Sequence, residues 1–423
     1  METLVYLNRT SARRFTDGYP FTLFSMNSLP FRSAVCACLL LGSAHSATVE
    51  HMIPSYHYEQ TLVAAEDMDG GKYLAFPVTL RLSDTELLVG YKRGFSHAFD
   101  READFDLLWI DPVAQRVRRQ LPALHRDNVI LQNGEFVRFG NGDISCYIDV
   151  QKPGREPDSN EATRLGLVEF RSVDGGKTFR DLGPVGLIDG VEYGYAFEAI
   201  TEEDTTWMLA MTFANLPGGR ASVPSRPKAG AVVVLRTDNH GKTWRMAKAL
   251  TQAFQAPLNE SSFMRYKDGF IFVCRPYADA QPVLVTDGDF NVRRRIDLVR
   301  EHDFVAKGIG RPRVFSRDGR FYILGRNTFK PRAGAPKPLV GAGSDGVERA
   351  RLGLLRFDPE TLAVDKHVIL DNAENQRVVS AYYATPYWQT RKGRSYLNVV
   401  TYKQMFGRMP EIVRFEYDWD EVK

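Results

Sequence analysis

The sequence of 423 residues has little cysteine, no long apolar run and almost no excess of charge of one sign. Four cysteines are too few for a small disulfide-stapled scaffold. A balance of 55 Lys and Arg against 52 Asp and Glu leaves a net charge of +3, which does not favour a nucleic-acid partner. There is no CxxC or HExxH motif, so the sequence predicts no metal site and no cofactor.

Aromatic residues, glycine and proline are plentiful. The 26 Phe, 18 Tyr, 34 Gly and 22 Pro favour strands and tight turns over long helices. With 43% hydrophobic and 25% charged residues, a disordered chain, a collagen-like chain and a multi-span membrane protein are excluded. The length suggests two or three domains, although all-β propellers of this size form single units.

The first 47 residues are predicted to be an N-terminal extension with an export signal. The segment before Met26 shows no periodicity. After it come one positive charge at Arg32, a short apolar core over residues 33–41 and small residues up to Ala47, as at a cleavage site. The core is too short to span a bilayer, and a disordered tail is the alternative. The prediction is a secreted or periplasmic protein with one mature domain, residues 48–423, and no integral membrane segment.

Outside this leader only Cys146 and Cys274 remain. Both lie in apolar strand-like runs, which predicts two small buried hydrophobic side chains. An oxidising compartment would permit a disulfide between them, but their spacing does not determine one.

Two octets of one pattern, residues 172–179 and 237–244, each follow a strand-like apolar segment. At two-residue steps they have Ser or Thr, then Asp or Asn, then Gly, then Thr followed by an aromatic residue. The side chain of Asp174 or Asn239 can cap its own loop, and glycine accepts the positive φ of a tight turn. Each octet therefore predicts a hairpin between two strands.

The two octets resemble the Asp-box of BNR-repeat proteins, the sialidase (neuraminidase) superfamily. The first has Phe179 where Trp is usual, and the second has Thr237 for Ser and Asn239 for Asp. Asp-boxes are structural, so the resemblance implies the architecture of a β-propeller with four-stranded blades. Related hairpins place the third strands of six such units near residues 110, 171, 236, 286, 357 and 416.

The last unit lacks a fourth strand. Residues 58–65, at the start of the mature chain, could supply it and close the ring, which leaves few exposed edges. The predicted fold is all-β, a six-bladed β-propeller of four-stranded antiparallel blades. A seventh blade could lie in residues 183–194 or 327–350.

A propeller forms its site where the innermost strands converge, so polar residues at their ends are the candidates. Glu260 opens one strand and Arg275 ends the next, which resembles the sialidase blade that holds a glutamate and a carboxylate-binding arginine. The element Ser380-Ala381-Tyr382 resembles the one that carries the sialidase tyrosine nucleophile, so the resemblance implies Tyr382. Asp100 lies where sialidases keep the aspartate that acts as acid and base.

The resemblance implies retaining hydrolysis of a terminal, acidic sugar from a glycan. Tyr382 would attack the anomeric carbon, and Glu260 would accept its proton because a free tyrosine has a pKa near 10. Asp100 would protonate the leaving oxygen. The arginines that would bind the substrate, holding its carboxylate by bidentate bonds, are Arg93, Arg275, Arg311 and Arg313.

One position departs from the sialidase pattern. Ala75 stands where the resemblance calls for an arginine of the carboxylate-binding triad. The loss of one guanidinium should weaken recognition of sialic acid, so a different acidic sugar or a neutral one is also open as the substrate.

Two other functions remain open from the sequence. In a polysaccharide lyase acting on uronates, His97 would abstract the proton α to the carboxylate, Tyr147 would act as acid and Arg164 would neutralise the charge. A non-catalytic carbohydrate-binding propeller is the other. The discriminating observation is which of these side chains converge on the axis.

Overall fold

The computed structural model describes most of the chain that follows the predicted leader. Its described residues lie in the unit Ala47–Lys423 and are 48–97, 100–152, 163–212, 231–254, 258–276, 279–305, 308–329, 349–372 and 378–423. The leader predicted over residues 1–47 lies outside these ranges, as does most of the stretch 327–350.

Nearly every element is a β-strand, and successive strands form four-stranded antiparallel blades. Two strands come first: β1 (Glu50–Met52) and β2 (Tyr58–Val63). Blade 1 has β3 (Tyr73–Ser83), β4 (Glu86–Gly94), β5 (Asp104–Asp111) and β6 (Arg116–Leu124). Blade 2 has β7 (Ile130–Arg138), β8 (Ile144–Lys152), β9 (Thr163–Ser172) and β10 (Arg180–Pro184). A small hairpin, β11 (Leu187–Ile188) and β12 (Val191–Glu192), follows.

The second half of the chain repeats the arrangement. Blade 3 has β13 (Tyr195–Glu202), β14 (Thr205–Thr212), β15 (Ala231–Thr237) and β16 (Arg245–Ala249). Blade 4 has β17 (Leu258–Tyr266), β18 (Gly269–Pro276), β19 (Pro282–Thr286) and β20 (Val292–Asp297). Blade 5 has β21 (Gly310–Arg317), β22 (Arg320–Phe329), β23 (Arg349–Phe357) and β24 (Val364–Asn372). Blade 6 has β25 (Val378–Ala381) and β26 (Thr385–Arg391), then β27 (Arg394–Met405) and β28 (Glu411–Asp418).

The helical elements that the structure describes are all short. They are a 3₁₀ turn, Ala65–Asp67, and three single-turn helices, Leu250–Ala253, Leu298–Glu301 and Trp419–Val422. In this part of the chain no helix has the length and apolarity needed to cross a membrane.

The polarity of each strand follows its place in the blade. The third strand β15 reads Ala-Val-Val-Val-Leu and is buried along that run, because both of its faces pack against neighbouring blades. The outer strand β6 begins Arg-Val-Arg-Arg-Gln and is exposed there, which keeps the free edge of the blade charged.

Six clusters of buried apolar side chains fill the six interfaces between neighbouring blades. Phe197 of blade 3 and Phe263 of blade 4 share one cluster, for example. Leu74 of blade 1 and Tyr402 of blade 6 share another, which joins the two ends of the ring. The predicted six-bladed propeller is therefore confirmed, and no seventh blade occurs within the described ranges.

The ring is closed by the N-terminal strand. β2 pairs antiparallel with β28, with Tyr58 opposite Glu416, and supplies the fourth strand of blade 6 as the sequence predicts. The short strand β1 was not foreseen: it pairs parallel with β24 and adds a fifth strand to blade 5.

Cys146 and Cys274 are free, buried thiols. They belong to different clusters, one between blades 1 and 2 and the other between blades 3 and 4, so no disulfide joins them. Both act as small apolar core residues, as predicted.

The two octets form the same hydrogen-bonded loop. In the first, Asp174 accepts from the backbone N–H of Lys177 and Thr178, both at 3.0 Å, and from the Thr178 hydroxyl at 2.6 Å. In the second, Asn239 accepts from the backbone N–H of Thr243 at 3.0 Å. The side chain after each third strand thus organises the turn to the fourth.

Replacing Asp174 with alanine should destabilise the protein by about 2 kcal/mol, because several bonds to a carboxylate are lost. The Thr178 hydroxyl, which bonds this carboxylate, is the largest cause lowering the pKa of Asp174 to about 2. A carboxylate with a lowered pKa stabilises the fold above its unfolded value, and the effect is lost as pH falls through the folded one. Urea unfolding at pH 7 should therefore separate Asp174→Ala from wild type more widely than at pH 2.5. The matched variant Asn239→Ala should lack this pH dependence, and equal pH behaviour of the two would contradict the prediction.

Candidate active site

The innermost strands of blades 1 to 5 each have a β-bulge near their start. The pairing register shifts between Ala75 and Val78 in β3, and at matching places in β7, β13, β17 and β21. A bulge bends the strand and re-aims its side chains. Because first strands of neighbouring blades contact one another, the bulges turn side chains towards a common axis.

Three non-glycine residues at these axial ends have a left-handed backbone. Phe76 has φ 55° and Arg311 φ 46°, each within a bulge and before a proline, and Tyr382 has φ 71° between the two segments of the first strand of blade 6. Each such conformation costs about 1–3 kcal/mol and persists only where the surroundings impose it. Strained backbone is therefore found at the axial ends of the innermost strands. Such strain often occurs at functional sites.

Glu260 and Arg275 form the centre of the axial cluster. Arg275 Nη1 lies 2.5 Å from Glu260 Oε2, which also accepts from the backbone N–H of Arg311 at 3.0 Å. The Tyr383 side chain lies beside both Glu260 and Arg275, close enough to influence their pKa values. The predicted Glu260–Arg275 pair is thus in contact, and a tyrosine lies next to it.

The charges of this cluster fix its protonation. Burial opposes ionisation of Glu260, but Arg275, the Tyr383 hydroxyl and Arg326 together outweigh it and lower the pKa of Glu260 to about 2. Burial and the Glu260 charge raise the pKa of the Tyr383 phenol above its usual value. At neutral pH Glu260 is therefore a carboxylate and Tyr383 a neutral phenol.

Arg326, on β22, covers the Tyr383 ring at 5.4 Å from its centroid. It is half-buried, and among the described residues no carboxylate oxygen lies within 4.0 Å of its guanidinium. A second cation next to Glu260 and Tyr383 thus keeps its donors available for an anionic group.

Tyr382, the predicted nucleophile, does not face the axis. Its side chain is buried in the core between blades 5 and 6, and its hydroxyl donates to Asp371 Oδ2 at 2.6 Å. The left-handed backbone at Tyr382 turns the following side chain, Tyr383, towards Glu260 instead. The resemblance to the sialidase tyrosine element pointed to Tyr382, but the neighbouring residue, Tyr383, is the one that lies at the axis.

Asp100, the predicted acid and base, is buried in an ion pair with Lys92 at 2.5 Å. Its other oxygen accepts from the backbone N–H of Phe95 and Ser96 at 2.5 and 2.8 Å. The loop presents His97, not Asp100: the His97 side chain is exposed and its Nδ1 lies 3.0 Å from the Tyr73 hydroxyl.

The remaining predicted arginines are occupied by carboxylates. Arg93 pairs with Asp104 and Asp106 at 2.5 and 2.8 Å, within blade 1 and away from Glu260. The buried side chains of Arg311 and Arg313 share Glu135 at 2.7 and 2.9 Å.

Glu198 adds a second carboxylate to this buried group, at 3.2 Å from Arg313. We call Glu135, Glu198, Arg311 and Arg313 the axial ion cluster; it ties together blades 2, 3 and 5 around the axis.

The set proposed for a lyase does not assemble. The Tyr147 hydroxyl accepts from Trp244 Nε1 at 3.2 Å inside the core between blades 2 and 3, and His97 contacts Tyr73 and Phe76 on blade 1. The side chain of Arg164 lies outside the described residues. The lyase hypothesis has no geometric support among the side chains that are described.

No protein-family model and no curated protein matches the chain. Solved structures do, at low identity. A Dyadobacter fermentans protein of unknown function is 14% identical, with a TM-score of 0.57 over 85% of this chain and 97% of that one. The NanB sialidase of Streptococcus pneumoniae is 11% identical, with a TM-score of 0.56 over 86% and 71%. The chain has the sialidase-like propeller fold.

A Fusarium graminearum α-L-arabinofuranosidase is also similar, 12% identical with a TM-score of 0.53 over 87% of this chain and 99% of that one. The sialidase-like propeller is thus an architecture that glycosidases of different sugars share. At this level of identity the likeness establishes the fold, and chemistry has to be argued from the side chains.

In this sialidase-like propeller an aromatic ring lies at the position in blade 1 where the resemblance to sialidases implies an arginine. Ala75 is buried, and the bulge residue after it, Phe76, packs against His97, Tyr383 and Tyr402 at ring separations of 5.0, 5.1 and 5.5 Å. The third cation implied by the resemblance is therefore replaced by an apolar wall.

Sequence reasoning missed Tyr383, Arg326 and Glu135. Tyr383 follows Tyr382 directly, and only the backbone conformation distinguishes them. Arg326 lies near the end of the second strand of blade 5 as Arg275 does in blade 4, a signal the repeat could have given. Glu135 has no local pattern, because its partners are 176 and 178 residues away.

Proposed function

We propose that this chain is a retaining exo-glycosidase that removes a terminal acidic sugar from a glycan, with Tyr383 as nucleophile and Glu260 as its base. The observation that carries the proposal is the Glu260–Arg275 pair with the Tyr383 side chain beside it and Arg326 over the Tyr383 ring. A nucleophile with a base beside it, and a group that orients the base, form the usual signature of covalent catalysis.

The reaction proceeds in two displacements. The Tyr383 oxygen bonds to the anomeric carbon as the bond to the leaving oxygen breaks, and the phenol proton passes to Glu260. Transfer to a carboxylate of low pKa is unfavourable at rest, so the proton moves only as the new bond forms. Water then attacks the glycosyl-tyrosine, and Glu260 returns the proton to the departing phenolate oxygen.

The surrounding arginines explain the choice of nucleophile. An oxocarbenium-like transition state carries positive charge, and attack by a carboxylate next to an anionic sugar would bring two negative charges together. A neutral tyrosine avoids this repulsion. Arg275 and Arg326 stabilise the negative charge that develops on its oxygen.

The same two cations favour an acidic substrate. Arg326 has guanidinium N–H groups that no described carboxylate engages. Arg275 donates from Nη1 to Glu260, and its side chain is 30% exposed. Together they can hold a carboxylate in the pocket through charge-assisted bonds. Phe76 in place of a third cation should weaken the binding of that carboxylate.

The proposal is tested by a screen of aryl sialosides, uronosides and arabinofuranosides, read by release of the aryl group. Uronate polysaccharides are included and read by reducing ends and by the absorbance of an unsaturated lyase product. We expect turnover of an acidic glycoside and no lyase product. Turnover of neutral glycosides alone would contradict the acidic substrate, and turnover of none would contradict the enzyme function.

On the acidic substrate found, Arg326→Lys should raise KM about tenfold with a smaller change in kcat, because the planar fork is lost while the charge is kept. Arg93→Lys is the matched control, since that arginine sits against Asp104 and Asp106. An unchanged KM in Arg326→Lys, or an equal rise in both variants, would contradict the role of Arg326.

Export completes the proposal. The leader over residues 1–47 would deliver the enzyme to the glycans outside the cytoplasm. N-terminal sequencing of the secreted protein should give a start near Thr48; retention of the leader would contradict it.

A further inference from the structure

We propose that His97 is the proton donor to the leaving group, and that the buried pair of Lys92 and Asp100 serves to hold the loop that presents it. This inference rests on the proposed glycosidase function and assigns its missing acid. The sequence resemblance gave that role to Asp100.

Asp100 is not placed to protonate a substrate. One of its oxygens caps the turn through the backbone N–H of Phe95 and Ser96, and the other pairs with Lys92. Neither the Lys92 nor the Asp100 side chain has accessible surface. A general acid has to be within hydrogen-bonding reach of the glycosidic oxygen, and a side chain sealed in this way is not.

The same contacts fix the backbone of His97. Lys92 Nζ donates to the carbonyl oxygens of Ser96 and His97 at 2.9 and 3.1 Å, and to Gln132 Oε1 at 2.7 Å. Gln132 Nε2 donates to the His97 carbonyl at 2.7 Å. The carbonyl of an exposed loop residue thus accepts two hydrogen bonds from buried side chains, which holds the backbone of His97 in place.

The imidazole is oriented as well. Its Nδ1 lies 3.0 Å from the Tyr73 hydroxyl, and Phe76 packs edge-on against the ring at 5.0 Å. With Nδ1 engaged, Nε2 is the nitrogen that can face a substrate. The arrangement is that of a histidine whose second nitrogen is held by a partner so that the first can act.

His97 and Tyr383 flank the same ring. Phe76 lies 5.0 Å from the His97 ring and 5.1 Å from that of Tyr383, so their centroids are at most about 10 Å apart. Retaining glycosidases hold their two catalytic groups about 5–5.5 Å apart, a separation that this upper bound between ring centroids allows. A sugar bound between the two side chains that cover Phe76 would have its anomeric carbon towards Tyr383 and its leaving oxygen towards His97.

In the first displacement the Nε2 proton passes to the leaving oxygen as its bond to carbon breaks. The neutral imidazole then accepts a proton from the attacking water, which restores the imidazolium. No other reactant is consumed.

The charges around His97 set the pH at which it can act. The His97 side chain keeps some accessible surface, but protein atoms surround it on most sides. This desolvation, then Lys92 and Arg326, lower the pKa of His97 to about 4, and Glu260 and Asp100 oppose them less strongly. The groups that face it from the packed elements are Tyr73 on β3, Lys92 on β4, Glu260 on β17, Arg326 on β22 and Asp100 in its own loop. Since the protonated form is the donor, kcat/KM should fall about tenfold per pH unit above pH 4.

The test compares leaving groups on one sugar in the full-length mature protein. His97→Gln should lose about 10²–10³-fold in kcat/KM on an alkyl or phenyl glycoside but only a few-fold on a dinitrophenyl glycoside, whose leaving group needs no proton. Asp100→Asn acts only through the loop that presents His97, so it should lose less than His97→Gln on the alkyl or phenyl glycoside and should keep the alkaline limb of the pH profile. A larger loss in Asp100→Asn than in His97→Gln on that glycoside, or no leaving-group selectivity in His97→Gln, would overturn the assignment.

Tyr73→Phe tests the same role in case His97→Gln does not fold. Removing the hydroxyl next to Nδ1 should move the alkaline limb of the pH profile without changing the order of the leaving groups. An unmoved limb would contradict the orientation of His97 by Tyr73. Wild-type protein inactive on every glycoside would instead overturn the proposed function, and the assignment with it.

Discussion

Tyr383→Phe should lower kcat on the true substrate by at least about 10³-fold while the protein stays folded. The substitution removes the oxygen that would bond to the anomeric carbon, and loss of a nucleophile is among the most damaging single changes to an enzyme. Phenylalanine keeps the ring that packs against Phe76 and lies under Arg326, so the pocket keeps its shape. The measurement is steady-state kcat together with urea unfolding.

The adjacent tyrosine is the control. Tyr382→Phe removes one buried bond, to Asp371, and leaves that carboxylate with Lys403 at 3.0 Å. It should cost about 1–3 kcal/mol of stability and change kcat by no more than a few-fold. The reverse outcome, activity lost in Tyr382→Phe and kept in Tyr383→Phe, would contradict the place given to the nucleophile.

The exchange between these two tyrosines shows what strand patterns can and cannot predict. The fold followed from local signals: the octets form capped turns, and the Asp-Gly pairs, such as Asp318-Gly319, join first to second strands. Such signals depend on neighbouring residues and can be read from the chain. Side-chain direction at the axis depends on bulges and on the left-handed backbone of Tyr382, which shift the alternation by one residue.

The site itself was predictable only in part. Glu260 and Arg275 lie on paired strands of one blade, so their spacing already placed them together. Asp100 was a reasonable acid by position, but its partner Lys92 comes from the preceding strand and buries it. Nothing in the local sequence around Lys92 shows that this lysine points inwards.

The axial ion cluster joins residues that are far apart in the sequence, so no local pattern could predict it. Its disruption should also cause the largest loss of stability. Glu135 accepts from both Arg311 and Arg313, and all three side chains are buried. Glu135→Gln leaves the two guanidinium groups in the core without the carboxylate that they share, and Glu198 then pairs with Arg313 only. Removing one partner of a buried ion pair costs about 3–5 kcal/mol, because the charge that remains has lost its compensation.

Glu198→Gln is the matched control. Glu198 forms an ion pair with Arg313 at 3.2 Å and accepts from the Ser262 hydroxyl at 2.5 Å, which a glutamine oxygen can also do. Its side chain is 22% exposed, so water can replace part of the lost interaction. It should cost roughly 1 kcal/mol, and urea unfolding at pH 7 should separate the two variants by at least about 2 kcal/mol. Equal losses would contradict the central place of Glu135.

A double substitution separates charge balance from packing. If the loss in Glu135→Gln arises from uncompensated charge, then Glu135→Gln combined with Arg313→Met should be more stable than the sum of the two single changes predicts. Methionine removes one of the stranded charges and keeps much of the volume. Additive losses would show instead that each side chain contributes through its own contacts, and the cluster would then be a set of independent bonds around the axis.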